Sequence, residues 1–411
     1  MSGRFPDPPK ARRPAFFAVR LFFTGRPGHL PKGDTVDTRL TIVGLPEWGI
    51  RYRGLFIIAG PCSAESPKQL TDTAIGISKL PVSVMRAGIW KPRTRPGSFE
   101  GVGSKGLPWL KEAGQRAGLP VAVEVAQPVH VEKCLRQGID ILWIGSRTTA
   151  NPFAVQEISS ALSGADIPLF VKNPICPDLG LWIGALERIN RAGITRLAAI
   201  HRGFCISDER IYRNRPEWWI PIELRRCIPN LPLLCDPSHI CGKVKLLPGV
   251  IRKAMDLLMD GLMIECHANP SAALSDAAQQ VTPEQLGTLL NQLDIKQAST
   301  DDPEYLNDIS YHRSIIDVVD EQIMELLAQR MKISTEIGRL KKRKNISILQ
   351  PERLRKMLAD RVESSRAKGL SESFLLQLFR RIHEESIRHQ ESAGANDQTQ
   401  LSWRRDPEEY S

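Results

Sequence analysis

Eight short apolar runs of this chain are each followed closely by a side chain that can do chemistry. Those side chains are Cys62, Arg86, Glu124, Arg147, Lys172, Arg202, His239 and Glu265. The cations have the geometry and charge that bind carboxylate and phosphate groups. The thiol, imidazole and carboxylate groups are ligands for a borderline divalent metal ion. We therefore expect an enzyme that acts on small anionic substrates.

The elements that must position these side chains repeat as a strand followed by a helix-like stretch. The apolar runs are Leu55–Ala59, Val82–Met85, Val121–Val123, Ile141–Ile144, Leu169–Val171, Leu197–Ile200, Leu231–Cys235 and Leu262–Ile264. Roughly eight such units close a (β/α)₈ barrel, in which the carboxyl ends of the strands surround one site. The sequence predicts an α/β fold with a (β/α)₈ TIM barrel over residues 41–294.

A polar linker is predicted at 295–304, and after it the spacing of the apolar residues changes from that of short strands to that of long helices. Apolar residues recur with helical periodicity over Tyr305–Lys344 without an interrupting proline, and helices are also expected at about Gln350–Ser364 and Ser371–Gln390. These predict an all-α domain over residues 305–392. At 1.5 Å per residue the first helix is on the order of 60 Å long. A small domain cannot cover such a helix, so we expect a homodimer or a higher homo-oligomer.

Composition excludes several classes of protein. No apolar stretch reaches the roughly 18 residues that a membrane span needs. The eight cysteines lack paired spacing, which favours the reducing cytoplasm. The net charge is +10, and much of the excess of Lys and Arg lies in the first 40 residues and in the C-terminal helices. The cations of the barrel are dispersed among the strand ends, so nucleic-acid binding is disfavoured. Residues 1–40 are predicted to be a disordered or misassigned extension, and residues 393–411 a disordered tail.

Two sets of side chains at the predicted strand ends carry the chemistry. A metal set can hold Mn, or Fe, Zn or Co, and it consists of Cys62, His239, Glu265 and Asp276. A basic set implies two anionic substrates, or one with several charges, and it consists of Arg86, Lys91, Arg93, Arg147, Lys172 and Arg202. The stretch Gly101–Gly106 matches a dinucleotide fingerprint but does not follow a strand directly, so we predict a loop leading into a helix.

Several motifs over about Trp48–Leu290 resemble the type I 3-deoxy-D-arabino-heptulosonate 7-phosphate (DAHP) synthases. They are Gly60-Pro-Cys-Ser63, Met85-Arg-Ala-Gly-Ile-Trp-Lys-Pro-Arg-Thr94, Pro96-Gly-Ser-Phe-Glu-Gly101, Asp236-Pro-Ser-His239, Ile264-Glu-Cys-His267 and Leu274-Ser-Asp276. The resemblance implies that phosphoenolpyruvate condenses with erythrose 4-phosphate at a divalent metal ion held by the metal set. It assigns phosphoenolpyruvate to Arg86, Lys91, Ser146, Arg147, Lys172 and Arg202, and erythrose 4-phosphate to Arg93 and Thr94. Lys91 is the implied proton donor, and Ser146 departs from the usual alanine.

The region of about Leu306–Gln390 resembles an all-helical chorismate mutase. The motifs are Ile316-Asp-Val-Val-Asp-Glu-Gln-Ile-Met-Glu-Leu-Leu-Ala-Gln-Arg330, Ile337-Gly-Arg-Leu-Lys341 and Ile382-His-Glu-Glu-Ser386 with Gln390. The resemblance implies chorismate binding by Arg313, Arg330, Lys341, Arg353, Ser386 and Gln390, with Arg330, Lys341 and Gln390 catalytic and Arg313 crossing to the partner's site. Gln350 and Leu354 depart from residues usual in that family, so weaker hydroxyl contacts are expected.

Four hypotheses follow. The first is a bifunctional enzyme of aromatic biosynthesis in which chorismate or prephenate in the helical domain inhibits the barrel. In the second, the helical domain only binds a regulator and dimerises. The third is the sister synthase that uses arabinose 5-phosphate, which the Lys91-Pro-Arg-Thr94 motif disfavours. The fourth, a nucleic-acid-binding protein, predicts salt-sensitive RNA retention.

Overall fold

The chain divides into two compact units, with the boundary after residue 298. The computed structural model describes residues 40–91, 97–207, 209–296, 299–366 and 368–401. Of the predicted N-terminal extension, all but Leu40 lies outside the described residues. Among the described residues, no helix is both long enough and apolar enough to cross a membrane.

The first unit is a closed barrel of parallel strands, which confirms the predicted fold class. The strands pair in chain order, and the last pairs with the first. Their bounds are β1 Phe56–Gly60, β2 Val84–Ala87, β3 Val121–Val125, β4 Ile141–Ile144, β5 Leu169–Lys172, β6 Leu197–His201, β7 Leu233–Cys235 and β8 Gly261–Glu265.

Helices fill the connections between the strands. They are α1 Pro67–Ser78, α2 Gly106–Ala117, α3 Pro128–Arg136, α4 Ser146–Thr149, α5 Pro152–Ala161, α6 Leu179–Arg191, α7 Trp219–Cys227, α8 Pro237–Cys241, α9 Leu247–Asp256 and α10 Pro283–Asn291. Many begin at a proline, whose fixed φ suits the first helical position. The residue before often caps the helix, as Ser66 and Asn151 do by accepting from backbone N–H groups. Helix α2 follows Gly101–Gly106, so that glycine-rich stretch leads into a helix, as predicted.

The barrel core has an inner and an outer layer. Side chains such as Phe56, Trp143 and Phe170 fill the interior, while the outer faces of the strands pack against the helices. Trp48 packs against Phe170, with ring centroids 5.2 Å apart, on the interior cluster. Because this cluster fills the interior, the polar residues collect at the carboxyl ends of the strands.

The second unit consists of α11 Pro303–Arg343, α12 Pro351–Arg366 and α13 Glu372–Leu401. Helices α11 and α13 approach closely at Gly338, where a Cβ would lie 2.7 Å from the Cα of Gln390. Two predicted boundaries need correction. Helix α11 begins inside the predicted linker, because Asp302 caps it and proline is its first residue. Helix α13 continues to Leu401, into the predicted disordered tail, since no proline occurs before Pro407.

Candidate active sites

The predicted metal set comes together at the rim of the barrel. One potential ligand atom each from Cys62, Glu265 and Asp276 lies within 4.8 Å of the others. The Cys62 Sγ is 3.3 Å from the Asp276 Oδ2. The Nε2 of His239 is 3.6 Å from the Glu265 Oε1, so the imidazole borders the same space.

Different elements deliver these four side chains. Glu265 is the last residue of β8, and Cys62 follows β1 directly. His239 lies in α8, where the side chain of Asp236 accepts from the His239 N–H at 3.0 Å. Asp276 has a φ of 50°, a conformation that is uncommon for a residue with a side chain. In this conformation the loop after β8 places the Asp276 carboxylate beside Cys62 and Glu265.

The electrostatics of this cluster fit a divalent cation. Burial, followed by the nearby Glu265 charge, raises the pKa of the Cys62 thiol to about 11. Burial alone would raise the pKa of Glu265, but His239, Arg86 and Lys91 hold it at about 2. Burial and the Glu265 charge act to raise the pKa of Asp276, but Arg213 and His239 hold it below its usual value. A cation among a thiol, an imidazole and two carboxylates would favour the ionised form of each acid.

Three cations of the basic set lie against the same cluster. Arg86 is buried, and its guanidinium donates to Glu265 Oε1 at 2.8 Å and to the Cys62 carbonyl at 3.0 Å. The Nζ of Lys91 lies 3.1 Å from the Cys62 Sγ. Lys172 is also buried and donates to Asp236 at 2.6 Å. The metal set and the basic set therefore form one continuous polar site.

The remaining members of the basic set extend this site. Burial, together with the charges of Arg213 and Arg147, lowers the pKa of Arg202 to about 10, although the Asp236 charge acts to raise it. The buried hydroxyl of Ser146 has no hydrogen-bond partner among the described residues. Arg93 and Thr94 lie outside the described residues.

The sequence reasoning missed several residues that organise this rim. Trp143 lies beneath two cations, with its ring centroid 4.9 Å from the Arg86 Cζ and 5.9 Å from the Lys172 Nζ, and its N–H donates to Glu124 at 3.0 Å. Gln279 donates to Glu265 Oε2 at 2.7 Å. The position of Trp143 on the inner face of β4 was a usable signal, because alternate residues of a barrel strand point inward. Gln279 ends a single 3₁₀ turn in the connection after β8, and its position offered no such signal.

The helical unit gathers a second group of predicted residues. Arg330 donates to the Ser386 hydroxyl and, at 3.4 Å, to the Ile382 carbonyl. The Oε1 of Gln390 is buried without a hydrogen-bond partner among the described residues. Burial lowers the pKa of Arg330, and the charge of Arg361 lowers it further. Facing helices α11 and α13 thus carry a partly buried cation, which can bind an anion, and an amide, which can hydrogen-bond a polar ligand atom. We call this region the polar pocket of the helical unit.

Two more predicted residues lie close to each other, and one lies apart. Burial lowers the pKa of Lys341, and the charge of Arg353 lowers it further, which places these two cations within electrostatic reach of each other. The Lys341 Nζ donates to the Ile348 carbonyl at 2.6 Å. Arg313 is exposed and precedes Arg330 on α11 by roughly 26 Å of helix. A single chain does not bring Arg313 to this pocket.

The fold and the sites define a class: a (β/α)₈-barrel enzyme for anionic substrates, joined to a helical unit with its own cation pocket. The model of the DAHP synthetase I family matches residues 51–300, and the chain belongs to that family. The model of chorismate mutase type II matches residues 312–391. The chain is thus a fusion of a 3-deoxy-7-phosphoheptulonate synthase, a transferase, with a chorismate mutase, an isomerase, and it acts in the shikimate pathway.

The barrel is similar to known proteins of two kinds, heptonate aldolases and phosphooctonate aldolases. A phospho-2-dehydro-3-deoxyheptonate aldolase of Thermotoga maritima is 31% identical over 62% of this chain and 73% of its own length. A crystal structure of a phospho-2-dehydro-3-deoxyheptonate aldolase (DAHP synthase) from Thermotoga maritima has a TM-score of 0.55 at 32% identity, over 62% of this chain and 72% of that chain. A 2-dehydro-3-deoxyphosphooctonate aldolase of Nitratidesulfovibrio vulgaris is 24% identical over 58% of this chain and 90% of its length.

Proposed function

We propose that the barrel condenses phosphoenolpyruvate with D-erythrose 4-phosphate at the rim site. The observation that carries this proposal is the single site in which the metal set meets buried cations. Lys91 contacts the potential ligand Cys62, and Arg86 contacts the potential ligand Glu265. A site of this kind can hold an anionic enol phosphate beside a polarised aldehyde.

Phosphoenolpyruvate is assigned to the described cations and to one hydroxyl. Arg86, Lys172 and Arg202 are fixed by buried partners, so they are oriented before substrate arrives. Lys91, Arg147 and the Ser146 hydroxyl, which has no hydrogen-bond partner among the described residues, complete the set. Such preorganised charges stabilise a phosphate and the charge that develops during reaction, without reorganising at that moment.

Cys62, His239, Glu265 and Asp276 would hold the divalent metal ion, which would be Mn, or Fe, Zn or Co. When bound, it would supply Lewis-acid polarisation of the aldehyde oxygen of the sugar phosphate. The Lys91 ammonium lies beside this cluster and is placed to donate the proton that the new alkoxide needs. A bond forms between the enol carbon and the aldehyde carbon, water adds at the phosphate-bearing carbon, and inorganic phosphate leaves.

The choice of aldose rests on the Lys91-Pro-Arg-Thr94 motif, in which Arg93 and Thr94 would bind erythrose 4-phosphate. Similarity to phosphooctonate aldolases makes arabinose 5-phosphate the competing substrate. Purified protein offered phosphoenolpyruvate and each aldose separately should release phosphate faster with erythrose 4-phosphate. A preference for arabinose 5-phosphate would reject the assignment.

The helical unit is proposed to rearrange chorismate to prephenate in the pocket of Arg330, Lys341, Arg353, Ser386 and Gln390. The rearrangement is pericyclic, so positioning the two carboxylates and stabilising charge on the ether oxygen suffice. Arg330, Lys341 and Gln390 are the proposed catalytic residues. The buried Gln390 Oε1 without a described partner supports a ligand in this pocket. Absence of mutase activity in purified protein would favour a non-catalytic binding and dimerisation module.

A homodimer explains two features of α11. Arg313 is roughly 26 Å from Arg330 along the helix, which suits a cation that serves the partner's pocket. Apolar side chains spaced three and four residues apart stay exposed in the single chain, and they are Ile316, Val319, Ile323 and Leu326. Analytical ultracentrifugation should give a dimer or a larger assembly, and Ile323→Asp should dissociate it.

The fusion supports feedback of a later pathway compound on the barrel, with chorismate or prephenate bound in the helical unit. Prephenate should inhibit condensation by the intact chain and should fail to inhibit the Lys341→Ala variant. Equal inhibition of both proteins would reject this site.

All eight cysteines are free, which supports the proposed cytoplasmic localisation.

A further inference from the structure

The side chain of Asn214 bridges the two halves of the rim site. Asn214 is 6% exposed and lies in the connection between β6 and α7. Its Oδ1 accepts a hydrogen bond from the Arg202 guanidinium at 2.7 Å. Its Nδ2 donates to the His239 carbonyl at 2.6 Å. One amide therefore contacts a cation assigned to phosphoenolpyruvate and a residue assigned to the metal.

The orientation of this amide follows from its partners. A guanidinium can only donate hydrogen bonds, and a backbone carbonyl can only accept them. The amide oxygen must therefore face Arg202, and the amide nitrogen must face His239. A flipped amide would lose both bonds.

Helix α8 depends on Asn214 at its carboxyl end. The last carbonyls of a helix have no partner within it and need donors from elsewhere. The Gly242 N–H bonds the Ser238 carbonyl, which leaves the next two carbonyls for Asn214. The Asn214 backbone N–H donates to the Ile240 carbonyl at 3.1 Å, and its side chain donates to the His239 carbonyl. Asn214 thus fixes the short helix that carries the imidazole.

The backbone around Asn214 is itself held in place. Phe204 and Arg215 exchange two backbone hydrogen bonds, at 2.8 and 2.9 Å. Gly203 has a φ of 77°, and a Cβ there would lie 2.5 Å from the Asn214 carbonyl oxygen. Only glycine fits this approach, so the segment after Arg202 folds back tightly on the segment of Asn214. The amide is therefore a fixed spacer between its two partners.

We propose that Asn214 is a positioning residue that sets the distance between the Arg202 guanidinium and the His239 imidazole through the two ends of one amide. The inference rests on the proposed function, because it takes Arg202 as a phosphoenolpyruvate ligand and His239 as a metal ligand. Asn214 acts through both residues and touches neither substrate.

Two substitutions of Asn214 distinguish the contact of its amide oxygen with Arg202 from the contact of its amide nitrogen with His239. Asn214→Asp keeps an oxygen toward Arg202, which also neutralises the added charge, but it places a second oxygen against the His239 carbonyl. Asn214→Ala removes both contacts. Asn151→Asp is the matched control, since Asn151 caps α5 with an oxygen that aspartate also supplies.

Metal binding is measured by titrating Co²⁺ alone into the metal-free full chain and following thiolate-to-cobalt absorption, with Cys62→Ala as the blank. We expect Asn214→Asp to weaken Co²⁺ binding by roughly 10- to 100-fold, as the loss of an outer-sphere partner does. At saturating Co²⁺ its KM for phosphoenolpyruvate should stay within about threefold of wild type. Asn214→Ala should weaken Co²⁺ binding and also raise this KM about tenfold, since it loses a hydrogen bond to a charged group. Asn151→Asp should change neither quantity.

The inference is overturned if Asn214→Asp binds Co²⁺ with wild-type affinity. It is also overturned if each Asn214 variant loses as much affinity for phosphoenolpyruvate as for Co²⁺. If Asn214→Asp melts below the assay temperature, Asn214→Ala alone decides, and an unchanged Co²⁺ affinity rejects the proposal. A wild-type chain without a Cys62-dependent cobalt band rejects the proposed function instead. The two failures are therefore distinguishable.

Discussion

The buried ion pair between Arg86 and Glu265 predicts a large and specific loss of stability when the cation is removed. Arg86 and Glu265 are 1% and 0% exposed, and their charged atoms lie 2.8 Å apart. Arg86→Met fills similar space but leaves the Glu265 carboxylate buried without its permanent counter-charge. Loss of one partner of a buried pair costs about 3–5 kcal/mol.

The depressed pKa of Glu265 shows how much its cationic neighbours together stabilise the ionised carboxylate. Burial alone would raise it, and yet His239, Arg86 and Lys91 lower it from 4.5 to about 2. This depressed pKa means that the stabilisation is present above pH 4.5 and is lost as the pH falls toward 2. The shift corresponds to about 3 kcal/mol at neutral pH, to which His239, Arg86 and Lys91 all contribute. We expect Arg86→Met to lower the free energy of unfolding by about 4 kcal/mol, since contacts with Cys62 and Trp143 are also lost.

Urea unfolding of the metal-free protein at pH 7, followed by tryptophan fluorescence, measures this change. Seven of the eight tryptophans precede residue 299, so the signal reports the barrel. Arg86→Met combined with Glu265→Gln removes both charges and should recover about 3 kcal/mol. Arg116→Met, at an exposed pair with Glu112, is the control and should cost about 0.5 kcal/mol or less. A loss below about 1 kcal/mol, or additive losses in the double variant, would refute the reasoning.

Further predictions concern each unit. Cys62→Ala should abolish condensation but keep mutase activity, and loss of both in paired assays would indicate misfolding. Because burial raises the pKa of the Cys62 thiol to about 11, metal binding must release its proton, and Co²⁺ affinity should rise about tenfold per pH unit from pH 6 to 8; a flat profile in titrations would contradict this. Arg330→Ala should lower the mutase kcat/KM at least about 100-fold with condensation unchanged, and equal loss of both rates would count against separate sites. Burial lowers the pKa of His201 to about 3, so the native state should lose about 2 kcal/mol from pH 7 to 5, and melting curves of His201→Gln should lack this loss.

The barrel could be predicted from the sequence because its signal is repeated. Each strand is a short apolar run that ends in a polar group, and only a closed parallel sheet brings all of these groups to one rim. Strand ends such as Arg86, Lys172 and Glu265 were identified for this reason. Boundaries were less accurate: α13 runs on to Leu401, because the polar residues after position 392 contain no helix-breaking proline.

The supporting residues of the rim could not be predicted from the same pattern. Asn214 and Gln279 lie in connections, and their partners are decided by how the chain folds back, which periodicity does not encode. Asp276 reaches the rim only through a φ of 50°. Trp143 is a partial exception, because strand alternation places it on the inner face of β4, but the contacts of its ring with Arg86 and Lys172 follow only from the folded barrel.

The central claim is one metal-dependent condensation site and one metal-independent isomerase site on the same chain. The most direct test is to assay both activities of one purified sample before and after removal of divalent metal by a chelator, and again after Mn²⁺ is restored. We predict that phosphate release from phosphoenolpyruvate and erythrose 4-phosphate stops without metal and returns with Mn²⁺, while chorismate disappears at an unchanged rate throughout. Condensation that persists in the fully metal-free protein would contradict it.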